Sequence, residues 1–196
     1  MPVLHDMTPA ELGDFLAPHG FTAVEARRIF AHHVQHARRH WDIKNMAREK
    51  LARAAALLET PTLAVVDRRR DPADGFMKYL FALADGARVE AVRIPIFDDK
   101  YTLCLSSQAG CPLDCVFCAT GRLGFTRNLA TWEIVEQLRL VRDEADRPVR
   151  GIVFMGMGEP FLNYDNVIRA ARIFADPSGG AISGRAITIS TSGVVP

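Results

Sequence analysis

The 196-residue chain has only four cysteines, and all of them, Cys104, Cys111, Cys115 and Cys118, fall between Tyr101 and Leu129. With no cysteine elsewhere, a disulfide framework is a poor reading, and a chain of this length does not need one. Nor is there an apolar run of about 18 residues to cross a membrane. The first 20 residues lack the basic-then-apolar pattern of a secretory signal, so a cytoplasmic location is expected. Excess charge is also missing: the net value is +1, which neither demands nor excludes nucleic acid. The little asymmetry there is favours the first 70 residues, with eleven Lys/Arg against eight Asp/Glu, as the RNA-facing half. A merely solvated helix surface would look similar.

What is present is a cysteine cluster. Cys111, Cys115 and Cys118 spell C-x3-C-x2-C. Three thiolates inside eight residues can wrap one face of an iron-sulfur cluster that otherwise takes four cysteine ligands. One iron is then open to substrate, as the open position of a catalytic zinc site is. Gly110, Gly121, Gly124 and Pro112 let the backbone bend around such an object. A structural zinc knot would call for a second cysteine pair or nearby histidines, and this stretch has neither.

Along the chain, Thr8 with Glu11 forms a capping-box pattern with Pro9 at the first helical position, predicting a helix that Gly20 ends. Further helices are expected over Ala23–His36 and Asn45–Leu58. His32, His36 and His40 lie four apart, but no carboxylate is interleaved, and a solvated or RNA-facing flank outweighs a metal site. Thr62–Val66 reads as a short strand, followed by a basic run Arg68–Arg70 and turns at Asp71-Pro72 and Asp74-Gly75. Phe76–Ala84 and Arg88–Ile94 form a hairpin across Asp85-Gly86. Glu90 sits inside its second strand, where an isolated carboxylate usually faces water. From Tyr101 strands and helices alternate: a strand to Ser106, a helix capped by Thr131, a strand Gly151–Met155, a helix Asn163–Phe174, and a strand Ala186–Ser190. This alternation predicts an α/β fold with a parallel sheet or barrel, its ligands at the carboxyl ends of the strands. The cysteine loop, Gly156-Met157-Gly158-Glu159 and Ser190-Thr191-Ser192-Gly193 each follow a strand, so all three would ring one mouth. There Glu159 could pair with a cationic group such as an amine, and Ser190 could hydrogen-bond a carboxylate or ribose.

The stretches LCLSSQAGCPLDCVFCATGRLGFTRNL, VFMGMGEPFLNYDNV and ITISTSGVVP together resemble the RlmN/Cfr family of radical S-adenosylmethionine enzymes, which methylate adenine in 23S rRNA and tRNA. The resemblance implies a partial radical SAM (β/α) barrel over residues 101–196, a β-hairpin connector over 61–100 and a helical accessory domain with RNA contact over 1–60. It implies that Cys111, Cys115 and Cys118 ligate a 4Fe-4S cluster and that Gly158, Glu159 and Ser190 hold S-adenosylmethionine. Glu90 matches the family's substrate-facing carboxylate, and Cys104 its resolving thiol, which takes part in a disulfide bond. An electron donor such as flavodoxin, a monomeric state and no membrane association are implied as well.

Such machinery is needed because an adenine ring carbon is not nucleophilic enough for ordinary methyl transfer, so a radical is generated by the cofactors. The family's methyl-carrying cysteine lies near the C-terminus. This chain has no spare cysteine and reads as C-terminally truncated, with an open sheet edge, poor solubility and no activity expected of it alone. Carbon 2 is the expected target. Rival readings are Cfr-like methylation of carbon 8, a non-catalytic iron-sulfur RNA-binding protein and a zinc-stabilised interaction module.

Overall fold

The computed structural model describes residues 1–38, 40–97 and 99–195; Arg39, Asp98 and Pro196, the last residue of the ITISTSGVVP motif, lie outside the described residues. The N-terminal module holds three α-helices, α1 (Pro9–Leu16), α2 (Ala23–Phe30) and α3 (Arg48–Leu57). The capping box expected at α1 is present: the Glu11 amide donates to Thr8 Oγ1 (3.3 Å), and the Thr8 amide donates to Glu11 Oε2 (2.8 Å). Thr22 and Glu25 repeat the device at α2, and each such cap satisfies amides the helix leaves orphaned.

The helix predicted to run through His36 departs from expectation. After Phe30 it widens into a π-helical turn, Ala31–Gln35, and Ala37 then takes a left-handed φ of 53°. His33 and Val34 are consequently both buried. His32, His36 and His40 therefore do not share a helix face; His32 Nε2 lies 2.7 Å from the His40 carbonyl instead. Among the described residues, no three His, Cys, Asp or Glu side chains converge into a metal site.

Six strands form one sheet in the order β1-β2-β3-β4-β7-β8. Its strands are β1 (Ala64–Arg70), β2 (Met77–Ala82), β3 (Arg88–Ile96), β4 (Lys100–Cys104), β7 (Val149–Phe154) and β8 (Ile187–Ile189). Strands β1 to β4 pair antiparallel, whereas β4, β7 and β8 pair parallel. The Phe76–Ile94 hairpin is thus part of the same sheet as the strands that follow it. Arg68–Arg70, read as a basic run outside the strand, completes β1. Arg68 pairs with Glu144 and Arg69 with Asp67.

One face of the sheet is closed. Tyr79, Phe81, Val89, Ala91, Leu103, Ile152 and Phe154 are buried there in one core with Ile134, Val135 and Leu138 of α4 (Thr131–Glu144) and Val167, Ile173 and Phe174 of α5 (Tyr164–Ala175). At α4 the N-cap is Ala130, not Thr131: Glu133 accepts the Ala130 amide at 2.9 Å, and Thr131 is the first helical residue, bonded to Asn166. The other face carries Lys78, Leu80, Glu90, Val92, Cys104, Val153 and Thr188, none of them fully buried. No described helix is long and apolar enough to cross a membrane.

The N-terminal module is fastened to α4 by polar contacts that apolar patterning does not reveal. Asp6 accepts the Trp132 amide (2.7 Å), Arg139 pairs with Glu136 and donates to the Ala37 carbonyl (3.0 Å), and just past the module Thr62 donates to Glu136 (2.6 Å). Both members of the Glu136–Arg139 pair are buried, so removing either strands an uncompensated charge, typically costing about 3–5 kcal/mol. His5 and His33 lie buried beside it, His5 Nδ1 standing 3.6 Å from Glu136 Oε2 and His33 Nε2 having no hydrogen-bond partner. Burial first, and Arg139 second, holds His5 down to about 3; burial, with His5, His32 and Arg139, holds His33 down to about 3. These rings are neutral in the fold but charge in the unfolded chain below its ordinary pKa of about 6.5, so stability falls as pH drops through that value. Between pH 8 and pH 5 each histidine should remove about 2 kcal/mol, read as a lower urea midpoint. A midpoint that does not move over this range would contradict their burial as neutral rings.

Candidate active site

The site is built where β4, β7 and β8 end. Parallel pairing puts Cys104 beside Val153, and Phe154 beside Ile189, so the three following loops emerge at the same edge of the sheet.

The first loop runs from β5 (Gln108–Gly110) to β6 (Phe125–Asn128), a short antiparallel hairpin carrying the three cysteines at its tip. Its glycine requirement is steric. Gly110 has φ 76°, and a Cβ there would sit 1.9 Å from the Gly124 carbonyl oxygen, to which the Cys111 amide donates at 2.9 Å. A Cβ on Gly121 would approach the Leu113 carbonyl to 2.9 Å. Inside this fold Cys111, Cys115 and Cys118 are half-buried free thiols. The Gly121 amide, opposed by some burial and aided by Thr120, holds the Cys118 thiol below its ordinary range. Phe117 and Val116 are exposed at the tip. Three thiol donors within eight residues suit an iron-sulfur cluster bound through three cysteines.

The second loop follows β7. Gly156 lies flat on the first loop, since a Cβ would meet the Leu105 carbonyl at 2.6 Å. The Met157 carbonyl accepts the amides of Ser107 (2.9 Å) and Gln108 (3.2 Å). Glu159 is buried, and its carboxylate is engaged internally: it accepts the amide of Phe161 (3.0 Å) and both the amide (2.8 Å) and hydroxyl (2.9 Å) of Ser192. Burial would raise its pKa, but the Ser192, Thr191 and Phe161 donors outweigh that and hold it below the ordinary range. Rather than reaching for an external amine, this side chain ties the second loop to the third. What the second loop offers a ligand is therefore the backbone around Gly156 and Gly158. Ser190, exposed at the end of β8, hangs from the Phe154 carbonyl (3.4 Å).

Glu90 and Cys104 face the same open side. Val92 pairs with Cys104, and β3 runs antiparallel to β4, so Glu90 lies one pair nearer the mouth. Lys78 approaches Glu90 Oε2 to 3.3 Å, and Asp67, Arg69, Lys78, Leu80 and Glu90 enclose a hollow of about 180 Å³. Burial pushes the Cys104 thiol up, partly countered by the Met155 amide. All four cysteines are free, so the disulfide expected of Cys104 finds no support.

Sequence reasoning missed the polar junction beneath the loops. Ser106 is fully buried with every polar group paired: its hydroxyl donates to the Glu90 carbonyl (2.6 Å) and accepts the Met157 amide (2.9 Å), while Gln137 brackets its backbone (3.0 and 3.1 Å). Asn163 donates to the Ser107 and Leu129 carbonyls, both at 2.8 Å. The available signal was the polar run Ser106-Ser107-Gln108 directly after an apolar strand.

A profile described as "Radical SAM superfamily" matches residues 105–196, the part of the chain that holds all three loops. This match places residues 105–196 in the radical SAM superfamily. The resemblance to the RlmN/Cfr family is borne out by its relatives. A probable RNA methyltransferase of Myxococcus xanthus is 52% identical over 98% of this chain and 55% of its own length. A probable dual-specificity RNA methyltransferase RlmN of Heliobacterium modesticaldum is 43% identical over 98% of the chain and 52% of its own. The crystal structure of a radical SAM methyltransferase from Sphaerobacter thermophilus superposes with a TM-score of 0.88 at 37% identity, covering all of this chain and 58% of that one. The chain thus spans little more than half the length of these relatives. An α/β architecture with part of the radical SAM barrel is what the sequence led us to expect and what the sheet displays.

The steric role of Gly110 is directly checkable. Gly110→Ala forces a side chain into the Gly124 carbonyl at a left-handed φ and should lose most reconstituted iron by metal analysis. Gly13→Ala, with nothing within 4 Å, should keep its iron and add roughly 0.5–1 kcal/mol of stability. Equal iron in the two variants would contradict the loop geometry.

Proposed function

We propose that this chain carries the cluster-binding, S-adenosylmethionine-binding and base-orienting parts of an RlmN-type RNA methyltransferase acting on carbon 2 of an adenosine in 23S rRNA and in tRNA. The observation that carries the reading is the placement of Glu90 and Cys104 on one open sheet face, bordered by the cysteine loop and the glycine loop. In this reading Cys111, Cys115 and Cys118 hold a 4Fe-4S cluster, and Gly158, Glu159 and Ser190 shape the S-adenosylmethionine site. The bound cluster and S-adenosylmethionine supply one-electron radical chemistry, with electrons from a donor protein. Glu90 orients the adenine and accepts a proton there, its carboxylate held beside the Lys78 ammonium. Cys104 supplies the thiol that frees the RNA from its covalent adduct with a methyl-carrying cysteine, a residue these 196 positions do not contain.

The N-terminal module, residues 1–60, serves as the RNA-facing unit in the same reading. Arg28, Arg38 and Lys44 line an open groove of about 780 Å³ together with His32, His36 and His40 against a single carboxylate, Asp42. A cationic groove of this kind follows a phosphate backbone through charge rather than sequence.

Mass spectrometry of adenosine from RNA treated with a reconstituted protein that joins these residues to a segment bearing the methyl-carrying cysteine should show a 2-methyl product, and the 196 residues alone should show none. An 8-methyl product would favour the carbon 8 reading, and unmodified RNA with intact cluster and reductant would count against the enzyme. Glu90→Gln should lower the methylation rate about a hundredfold without altering iron content. In the groove, Lys44→Ala should weaken RNA binding evenly across sequences and flatten the slope of log affinity against log salt by about 0.7–1. An unchanged slope would remove the groove from the RNA path.

A further inference from the structure

Beneath the mouth, one buried side chain spans the gap between the cysteine hairpin and the glycine loop. Gln108 opens β5, three residues before Cys111, and is about 1% exposed. Its Oε1 accepts the Glu159 amide at 2.8 Å, and its Nε2 donates to Asn128 Oδ1 at 2.7 Å. Asn128 lies on β6, the other strand of the cysteine hairpin, and pairs with Gln108 across it. From there the chain of amides continues, because Asn128 Nδ2 donates to the Leu162 carbonyl at 3.0 Å. One side chain therefore connects both strands beneath the cysteines with the peptide that follows Gly158.

A second observation concerns Gly158 itself. Its φ is 101°, and a Cβ at this position would fall 2.5 Å from Gln108 Cβ and 2.7 Å from its Cγ. The glycine loop thus lies directly on the Gln108 stem, as its lack of a side chain permits. The distance between the loops is set by contact and by hydrogen bonds at once. A carboxamide suits this place: it offers one acceptor and one donor pointing opposite ways, where a carboxylate lacks the donor and an apolar side chain lacks both.

We propose that Gln108 is a positioning residue that sets the spacing between the cysteine loop and the Gly156–Glu159 loop, so that S-adenosylmethionine can reach the open iron of the cluster. The proposal rests on the reading that these two loops jointly hold cluster and S-adenosylmethionine. Gln108 touches neither reacting group; it acts through the Glu159 peptide and the hairpin. Removing the amide leaves the Glu159 N–H buried and unpaired and lets the loops separate, a loss expected to weaken S-adenosylmethionine about tenfold.

The test uses the anaerobically reconstituted protein and its Gln108→Met, Gln108→Glu and Gln108→Asn variants. Iron content, S-adenosylmethionine affinity by equilibrium dialysis and the change in the reduced-cluster electron paramagnetic resonance spectrum on adding S-adenosylmethionine are measured for each. Gln108→Met should keep its iron, bind S-adenosylmethionine about tenfold more weakly and show a diminished spectral change. Gln108→Glu, which retains the acceptor for the Glu159 amide, should recover part of both. Gln108→Asn, one methylene too short to bridge the loops, should behave like Gln108→Met and decides the matter if Gln108→Met does not fold. Undiminished affinity and spectral change in Gln108→Asn or Gln108→Met overturn the proposal. A wild-type protein with full iron but no response to S-adenosylmethionine overturns the site reading itself, and the proposal with it.

Discussion

The mouth of this protein depends on how the buried Glu159 is satisfied. A carboxylate taken out of water costs several kcal/mol unless donors replace its hydration. Here three do, the Phe161 amide and the amide and hydroxyl of Ser192. Charge-assisted bonds of this kind contribute about 1.5–3 kcal/mol each, enough to offset the burial. Because two of the donors come from Ser192 of the third loop and the Glu159 amide is held by Gln108 of the first, one residue locks three loops into register. The geometry of the mouth is thereby decided by polar bonds, while the apolar core behind the sheet decides only that the loops emerge at the same end.

That division between faces runs through the molecule. Behind the sheet, α4 and α5 bury the aromatic and aliphatic side chains of alternate strand positions, and the N-terminal module, with Thr62 just past it, grips α4 through Asp6 and the Glu136–Arg139 pair. In front, the other alternate positions carry Lys78, Glu90, Cys104 and Thr188, half-buried or exposed. A strand's period of two makes this separation possible: a carboxylate and a thiol can stand on one face without disturbing the packing of the other.

Much of this was legible in the residues alone. The Thr8–Glu11 box marked α1, and Asp85-Gly86 marked the hairpin, where Asp85 indeed accepts the Ala87 amide at 3.0 Å. Strand and helix alternation after Tyr101 pointed to parallel pairing and so to a shared mouth. Other features escaped because no local signal encodes them. A π-helical turn differs from an α-helix by one residue of winding, so the four-residue spacing of His32, His36 and His40 suggested a common face that does not exist. Arg68–Arg70 read as a basic run beyond the strand because the partner of Arg68, Glu144, is distant in sequence. Glu159 pointed outward on paper, since Ser192, which supplies two of its three donors, lies on a loop more than thirty positions away. Ser106, Gln108, Gln137 and Asn163 escaped for the same reason: a buried polar junction is defined by pairing, and pairing is a property of the fold.

The central claim is that the four cysteines divide into three that hold iron and one that does not. Iron and sulfide analysis after anaerobic reconstitution of Cys111→Ser, Cys115→Ser, Cys118→Ser and Cys104→Ser variants tests it most directly. The account predicts about four irons per chain in the wild type and in Cys104→Ser, and loss of most iron in each of the other three. Iron loss in Cys104→Ser equal to that in Cys111→Ser, or zinc in place of iron, would contradict it.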